Sequence, residues 1–360
     1  MLRIGIVGLG QVGKTTLFRT LTHAHGTGLG SGRPEAHMGV VHVPDPRLDR
    51  LAEIFHPQRK VYACVEYIDT PGSVIDLART GAQTATLREM DALAHVVRAF
   101  EDEAVPHPSG SIDPRRDIEN VELELVLSDL GSVEKRLERL DKELKRQKDP
   151  ALEKEQHVLQ LAKQALEKQT PLRELSLASE EEHLIRGFTF LSSKPMLYVL
   201  NLGENDAAKT DAAEQFAAET GLKQRPKTGV TAVCGKIEAE LAELSDEEAA
   251  EFLSTYGLKE SAIARVVRSS YHLLGMISFF TTDGGECRAW TIRAGRTAVE
   301  AAGEVHTDLQ KGFIRAEVVR FEDLSAAGSM AEARHRGAVK LEGKEYVLHD
   351  GEVVHFRHSG

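Results

Sequence analysis

The sequence predicts an α/β protein with a mainly parallel sheet, interrupted by an α-helical coiled-coil arm and completed by a small α+β domain. Three observations carry this. Short apolar runs alternate with helical patterns over residues 1–115 and again over 180–276, as in a sheet covered by helices on its faces. Between them, over 116–179, leucines recur at spacings of three, four and seven, the period of packed helices. From 277 to 360 the chain becomes strand-rich.

Leu2–Val7 reads as the first strand, Lys14–Leu21 as the first helix and Val40–Val43 as a further apolar run. Asp45 followed by Pro46 is an N-cap with proline at the first helical position, opening a helix through Leu48, Leu51 and Ile54. Val61–Ile68 is expected to form one strand and Ala92–Phe100 another, buried one. Leu123, Leu127, Leu130, Leu137, Leu140 and Leu144, then Leu152, Leu159 and Leu166, make two halves of a helical hairpin broken at Lys148-Asp149-Pro150. Its mixed charges fit either a solvated coiled-coil surface or an arm that docks on an acidic partner. Ser179-x-x-Glu182 and Ser245-x-x-Glu248 read as capping boxes on either side of the buried strand Pro195–Leu200. The alternation thus resumes after the hairpin, which makes the hairpin an insertion in one α/β domain. Arg288–Ile292, Phe313–Val319 and Glu345–Phe356 are the expected strands of the last domain, with a helix opened by Thr297-x-x-Glu300.

The 360 residues include 45 Lys+Arg against 56 Asp+Glu, a formal charge of −11, and 41% are apolar. Such a length calls for two or three domains, and the composition supports packed cores. No apolar run approaches the roughly 18 residues that cross a bilayer, and Met1–Gly8 has none of the features of a secretory signal. No membrane partner and a cytoplasmic location are therefore expected. Cys64, Cys234 and Cys287 are distant from one another and odd in number, which argues against a disulfide framework or a zinc knuckle. The acidic total argues against a protein wrapped in nucleic acid by bulk charge but leaves room for a local basic patch.

Gly8-Leu9-Gly10-Gln11-Val12-Gly13-Lys14-Thr15, followed by Thr16, fits G-x-x-x-x-G-K-[ST] completely, between a strand and a helix. Its glycines let backbone N–H groups converge on phosphate oxygens at a helix N-terminus. Lys14 is the expected partner of the β- and γ-phosphates, and Thr15 of Mg²⁺. A second carboxylate at the metal belongs at a neighbouring strand end. Asp69-Thr70-Pro71-Gly72 supplies it, with Asp69 at the metal and the Gly72 N–H as γ-phosphate sensor. An N/T-K-x-D loop, which holds guanine in GTPases of this architecture, is absent. Asn201-Leu202-Gly203-Glu204 stands at the corresponding strand end. Without the flanking lysine, and with Asp replaced by Glu204, guanine loses its distinguishing contact and adenine becomes acceptable, while Asn201 can still bond N7 of either purine.

At this point the chain resembles the YchF / Obg-like ATPase family along nearly its full length. The resemblance rests on the phosphate loop, Gly39-Val40-Val41-His42-Val43-Pro44-Asp45-Pro46-Arg47-Leu48-Asp49, His95-Val96-Val97-Arg98-Ala99-Phe100-Glu101-Asp102, the N-x-x-E loop, Arg288-Ala289-Trp290-Thr291-Ile292 and Lys311-Gly312-Phe313-Ile314-Arg315-Ala316-Glu317. It implies a P-loop NTPase domain at 1–115 and 180–276, a coiled-coil insertion at 116–179 and a ubiquitin-like (β-grasp) TGS domain at 277–360. It also implies Mg²⁺-dependent ATP binding, slow hydrolysis to ADP and phosphate, and association with the ribosome or ribosomal RNA. Phe100 would lie beside the base, and Val233, Cys234 and Gly235 would form the last base-side loop. His107 stands where a loop histidine replaces the water-orienting glutamine, a task a neutral imidazole can perform near pH 7; an ordinary loop histidine is the other reading.

Both switch segments depart from the family pattern. Arg33 occupies the place of a threonine that would close the Mg²⁺ shell, and Ser73–Thr80 is shorter than the family's glycine-rich stretch. Three readings follow: a slow ATPase switch, a nucleotide-gated adaptor that scarcely hydrolyses, or a GTPase. Lys311, Arg315, Arg320, Arg334, His335 and Arg336 offer a local basic face for RNA, or an ordinary solvated surface.

Overall fold

The computed structural model describes residues 1–22, 37–70, 72–76, 81–207, 209, 212–258, 260–283 and 285–359. Arg33 and the end of the second switch, residues 77–80, lie outside them. The strands are β1 Leu2–Val7, β2 His37–His42, β3 Arg59–Val61, β4 Cys64–Asp69, β5 Ala92–Ala99, β6 Met196–Leu202, β7 Thr228–Val233, β8 Met276–Thr281, β9 Glu286–Arg293, β10 Phe313–Arg320, β11 Lys340–Glu342 and β12 Glu352–His358. The α-helices are α1 Lys14–Thr22, α2 Pro46–Phe55, α3 Gly81–Arg88, α4 Pro114–Arg146, α5 Pro150–Glu167, α6 Ser179–Ile185, α7 Ala212–Glu219, α8 Gly235–Leu241, α9 Asp246–Thr255, α10 Ala262–Leu273, α11 Ala298–Val305, α12 Thr307–Lys311, α13 Phe321–Ala327 and α14 Met330–His335.

Two compact units emerge, residues 1–41 with 66–273, and residues 42–65 with 274–360. This division differs from the expected one, in which residues 42–65 belonged with the nucleotide domain. The reason is visible in Val61–Ile68, which is two strands rather than one. β3 pairs in parallel with β9, whereas β4 enters the first sheet.

In the first unit the sheet order is β2-β4-β1-β5-β6-β7, with β1–β5, β5–β6 and β6–β7 parallel. Seven of the eight residues of β5 are buried, the mark of a strand covered on both faces. The chain leaves β1 toward one edge and β5 toward the other, so ligands belong at the carboxyl ends of these strands. The arm is the long pair α4 and α5. Each opens on an aspartate cap, Asp113 and Asp149, followed by proline. Val133, Leu140, Leu159, Ala162 and Leu166 form its buried seam, while Leu127, expected on that seam, is 47% exposed. The arm's charges pair within it, Arg136 with Glu155 and Lys163 with Glu134, which agrees with a solvated surface. Its base is fixed by Asp129, which accepts from the Leu191 and Ser192 N–H groups at 3.0 and 2.7 Å. Ser245 and Glu248 form the expected capping box. At α6 the reciprocal bond comes instead from Ala178 N–H to Glu181, one residue earlier than the spacing suggests.

The second unit holds the sheet β11-β10-β12-β8-β9-β3. β8 and β9 form an antiparallel hairpin, and the last strand β12 lies parallel to β8 in the middle. That is a β-grasp order. Ala298, Ala301 and Ala302 of α11 pack on Phe279, Phe313 and Phe356. The expected strand Glu345–Phe356 is confined to β12, preceded by a turn-rich stretch. Asp45 caps α2 as expected, accepting from Arg47 N–H at 3.0 Å.

Candidate nucleotide site

The turn between β1 and α1 is shaped by residues that only its sequence allows. Gly8 has φ +148° and Gly13 φ +97°, and a Cβ on Gly13 would run into Asn201 Nδ2. Gln11, at φ 60°, takes the left-handed region without being glycine, the kind of local cost tolerated where the surroundings fix the backbone. Gly10, Gln11, Gly13, Lys14, Thr15 and Thr16 line an open cavity of about 550 Å³ together with Asp69, Thr70, Gly72, Ser73, Phe100, Asp102 and Val105. Val12 is buried beneath it. Thus residues from the carboxyl ends of β1, β4 and β5 converge on one concavity.

Lys14 Nζ donates to Gly8 O at 3.1 Å and to Leu9 O, folded back over its own loop. Burial lowers its ammonium to about 8, and Asp69 offsets part of that. Thr15 Oγ1 donates to Asp69 Oδ2 at 3.1 Å. The other oxygen, Asp69 Oδ1, is buried without a hydrogen-bond partner among the described residues, an arrangement that normally marks an absent ligand or ion. Burial raises the Asp69 carboxyl, with Thr15 and Lys14 acting against it. A hydroxyl in the first turn of α1 and a carboxylate at the end of β4 form an oxygen donor set that suits a hard divalent cation such as Mg²⁺. Gly72, with φ +97°, exposes its backbone at the rim.

Asn201 is buried at the end of β6 and uses both ends of its amide. Nδ2 donates to Val12 O at 3.0 Å, and Oδ1 accepts from Gly235 N–H at 3.0 Å. It is first of all a brace between the phosphate loop and α8. Phe100 lies against Gly203, its Cβ 3.7 Å from where a Gly203 side chain would begin. Glu204 accepts from Lys236 Nζ at 2.8 Å. Leu202, Val233 and Cys234 turn away from the phosphate cavity and line a separate one of about 140 Å³ with Thr231 and Arg265. Burial raises the Cys234 thiol.

His107 does not line the phosphate cavity. Its Nδ1 accepts from Ser109 N–H at 3.1 Å, and its Nε2 lies 2.8 Å from Asp117 Oδ2, in the first turn of α4. The same loop nonetheless borders the phosphate loop, with Pro108 Cγ 3.8 Å from where a Gly10 Cβ would stand. Two residues escaped sequence reading. Arg98, 1% exposed on β5, stacks its guanidinium 4.4 Å from the Phe100 ring centre and donates to Phe100 O at 3.1 Å. Lys236 neutralises Glu204. Arg98 sits inside an otherwise apolar run, and a charge in a buried strand was the available signal.

Sequence comparison then decides the lineage. The chain is 41% identical to the "Ribosome-binding ATPase YchF" of Bacillus subtilis (strain 168) over 365 aligned positions, covering 99% of both chains. It is 40% identical to the protein of the same name from Escherichia coli O157:H7, covering 98% of each. The chain belongs to the YchF family. A solved YchF structure, described as the Schizosaccharomyces pombe YchF GTPase, superposes with a TM-score of 0.83 at 30% identity over 99% of this chain and 97% of that one. Family models agree: YchF-GTPase_C, described as a protein of unknown function (DUF933), matches residues 276–359, and MMR_HSR1, described as 50S ribosome-binding GTPase, matches 3–163. The YchF lineage accounts for the P-loop domain with its inserted arm and for the β-grasp unit at the C-terminus. Among the described residues no helix is long and apolar enough to cross a membrane.

Proposed function

We propose that this chain is a Mg²⁺-dependent purine-nucleotide hydrolase, a slow ATPase that works as a switch at the ribosome. One observation carries the reading: the phosphate loop, Lys14, Thr15 and an unsatisfied Asp69 oxygen meet in one open cavity. The names of the YchF relatives, ribosome-binding ATPases, support the partner and the reaction. Residues 277–360 are assigned as the TGS domain, and 116–179 as the arm.

In this reading the N–H groups of Gly10–Thr15 hold the α- and β-phosphates, and Lys14 swings from its own loop carbonyls onto the β- and γ-phosphates. Thr15 and Asp69 would hold Mg²⁺, which would supply positive charge against the phosphoryl oxygens. Gly72 N–H donates to the γ-phosphate. At the other end Phe100, stacked on Arg98, forms a wall for the base, and the second hydrogen of the Asn201 amide is left for N7. Guanine selection needs a free carboxylate for N1–H and the 2-amino group. Lys236 already engages Glu204, which favours adenine over guanine. His107 orients or deprotonates the attacking water after leaving Asp117.

A second reading, an adaptor that holds ATP and scarcely cleaves it, is favoured by that same His107–Asp117 contact. Phosphate release by purified protein, with and without ribosomes and against Lys14→Ala, tests the two. Release above the variant supports the ATPase; none under either condition leaves the adaptor. Tighter binding of GTP than ATP by more than about tenfold, near 1.4 kcal/mol, overturns the base assignment.

A further inference from the structure

The helix that follows the second switch ends on a side chain that grips the arm. Arg88 is the last residue of α3 and is largely covered. Its Nη1 donates to Phe188 O at 2.8 Å. Its Nη2 donates to Ser132 Oγ at 2.9 Å and lies 3.6 Å from Asp129 Oδ1. Ser132 and Asp129 both belong to α4, at the root of the arm. Asp129 is fully buried and is already held by the Leu191 and Ser192 N–H groups, so Arg88 is anchored to a fixed carboxylate. Lys194 fixes the main chain at the same place, with Nζ donating to Arg88 O at 2.9 Å and to Met90 O. A planar guanidinium bound to several acceptors sets direction as well as distance.

α4 meets the nucleotide site at two further points. Val74–Asp76, the short turn that follows Gly72, packs on α4, with Val74 itself buried. Val74 N lies 3.5 Å from Gly8 O, the phosphate-loop carbonyl that Lys14 Nζ also engages. In the first turn of α4, Asp117 lies 2.8 Å from His107 Nε2. One helix of 33 residues, about 50 Å long at 1.5 Å per residue, therefore touches the loop histidine, the turn after Gly72 and the end of α3, and also forms half of the arm. α5 stiffens it through the buried seam and the Arg136–Glu155 pair. Close-packed elements of this kind pass a displacement on instead of absorbing it.

We infer that Arg88 couples the second switch to the arm, so that the direction of the arm reports which nucleotide is bound. The inference rests on the nucleotide-switch reading above. When Gly72 N–H takes the γ-phosphate and Lys14 leaves Gly8 O, Val74–Asp76 and α3 shift, and Arg88 passes the shift to Ser132 and Asp129. Arg88 does not line the phosphate cavity and acts as a positioning residue. A tilt of about 5° over the roughly 44 Å from Asp117 to Arg146 carries the end of the arm about 4 Å. The coupling is reciprocal: a partner that holds the arm in one direction changes ATP affinity by the factor by which ATP changes the partner's affinity.

The test uses the full chain with spin labels at Lys145→Cys on the arm and Lys223→Cys on the same unit, both exposed positions. Cys64 is replaced by serine, the other two cysteines being buried. Distances between the labels are measured by pulsed electron paramagnetic resonance with Mg²⁺ and either ADP or a non-hydrolysable ATP analogue. The mean distance is expected to differ by about 4 Å between the two nucleotides. Arg88→Ala is expected to at least halve that difference while ATP affinity changes less than twofold. A residue that only braced the fold would lower the unfolding midpoint and leave the difference intact. Ser132→Ala, which removes one arm-side acceptor and is the milder change, is expected to reduce the difference as well. An undiminished difference in both folded variants overturns the inference, as does a constant distance in a wild type that binds both nucleotides; in either case the hydrolase reading stands. A wild type that binds neither nucleotide overturns the hydrolase reading and this inference with it.

Discussion

Asn201 and Val12, 189 positions apart in sequence, are joined by a 3.0 Å hydrogen bond from the Asn201 side-chain amide to the Val12 carbonyl. The bond sets the height of the phosphate loop against the end of β6, and the same side chain accepts from Gly235 N–H at 3.0 Å. Asn201→Ala therefore leaves a buried carbonyl and a buried N–H without partners, at about 1–3 kcal/mol each. Expected are a lowered unfolding midpoint and nucleotide affinity weakened at least tenfold. Asn201→Asp is expected to keep the bond from Gly235 but repel Val12 O. Nucleotide affinity unchanged in both variants would remove Asn201 from the site.

Lys14 gives the site a defined pH response. Its ammonium titrates at about 8 in the ligand-free protein, down from 10.5, yet phosphate binding requires it charged. ATP affinity should be level below pH 8. Above it, affinity should fall about tenfold per pH unit, because the lost proton must be regained on binding. Stability moves the other way. The unfolded chain binds more protons than the folded one between about 8 and 10.5, so the ligand-free protein gains stability as pH rises through that window. Calorimetric titrations from pH 7 to 9.5 check the first statement, and Lys14→Gln should abolish the slope.

His107 and Asp117 test the hydrolytic step. His107→Ala is expected to cut phosphate release by about a hundredfold, within the range of general base catalysis, with ATP affinity changed less than twofold. Asp117→Asn removes the charge that holds the ring at α4 and should raise turnover severalfold. Equal turnover in wild type and His107→Ala would assign the loop histidine an ordinary structural role.

Much of this was legible in the sequence because local rules and tertiary structure agree. The aspartate–proline starts of α2, α4 and α5, the strand–loop–helix around Lys14 and the buried run of β5 each obey a short-range pattern. What escaped depends on pairings made at long range. Val61–Ile68 has one continuous β-pattern, but β3 and β4 join different sheets, which no periodicity encodes. Leu127 kept the heptad spacing while Val126 took the seam. The match of Asn201 to a base-binding motif was readable, but its double use as a brace was not, since Val12 and Gly235 are brought to it only by the fold. The neutralisation of Glu204 by Lys236 is of the same kind.

Calorimetric titration of ATP with Mg²⁺ into the wild-type chain and into Lys14→Ala tests the central claim most directly. The account predicts binding with one site per chain in the wild type, lost with chelation of Mg²⁺ or weakened at least a hundredfold in the variant. No heat from ATP or GTP in the wild type, or equal heat from both proteins, would contradict it.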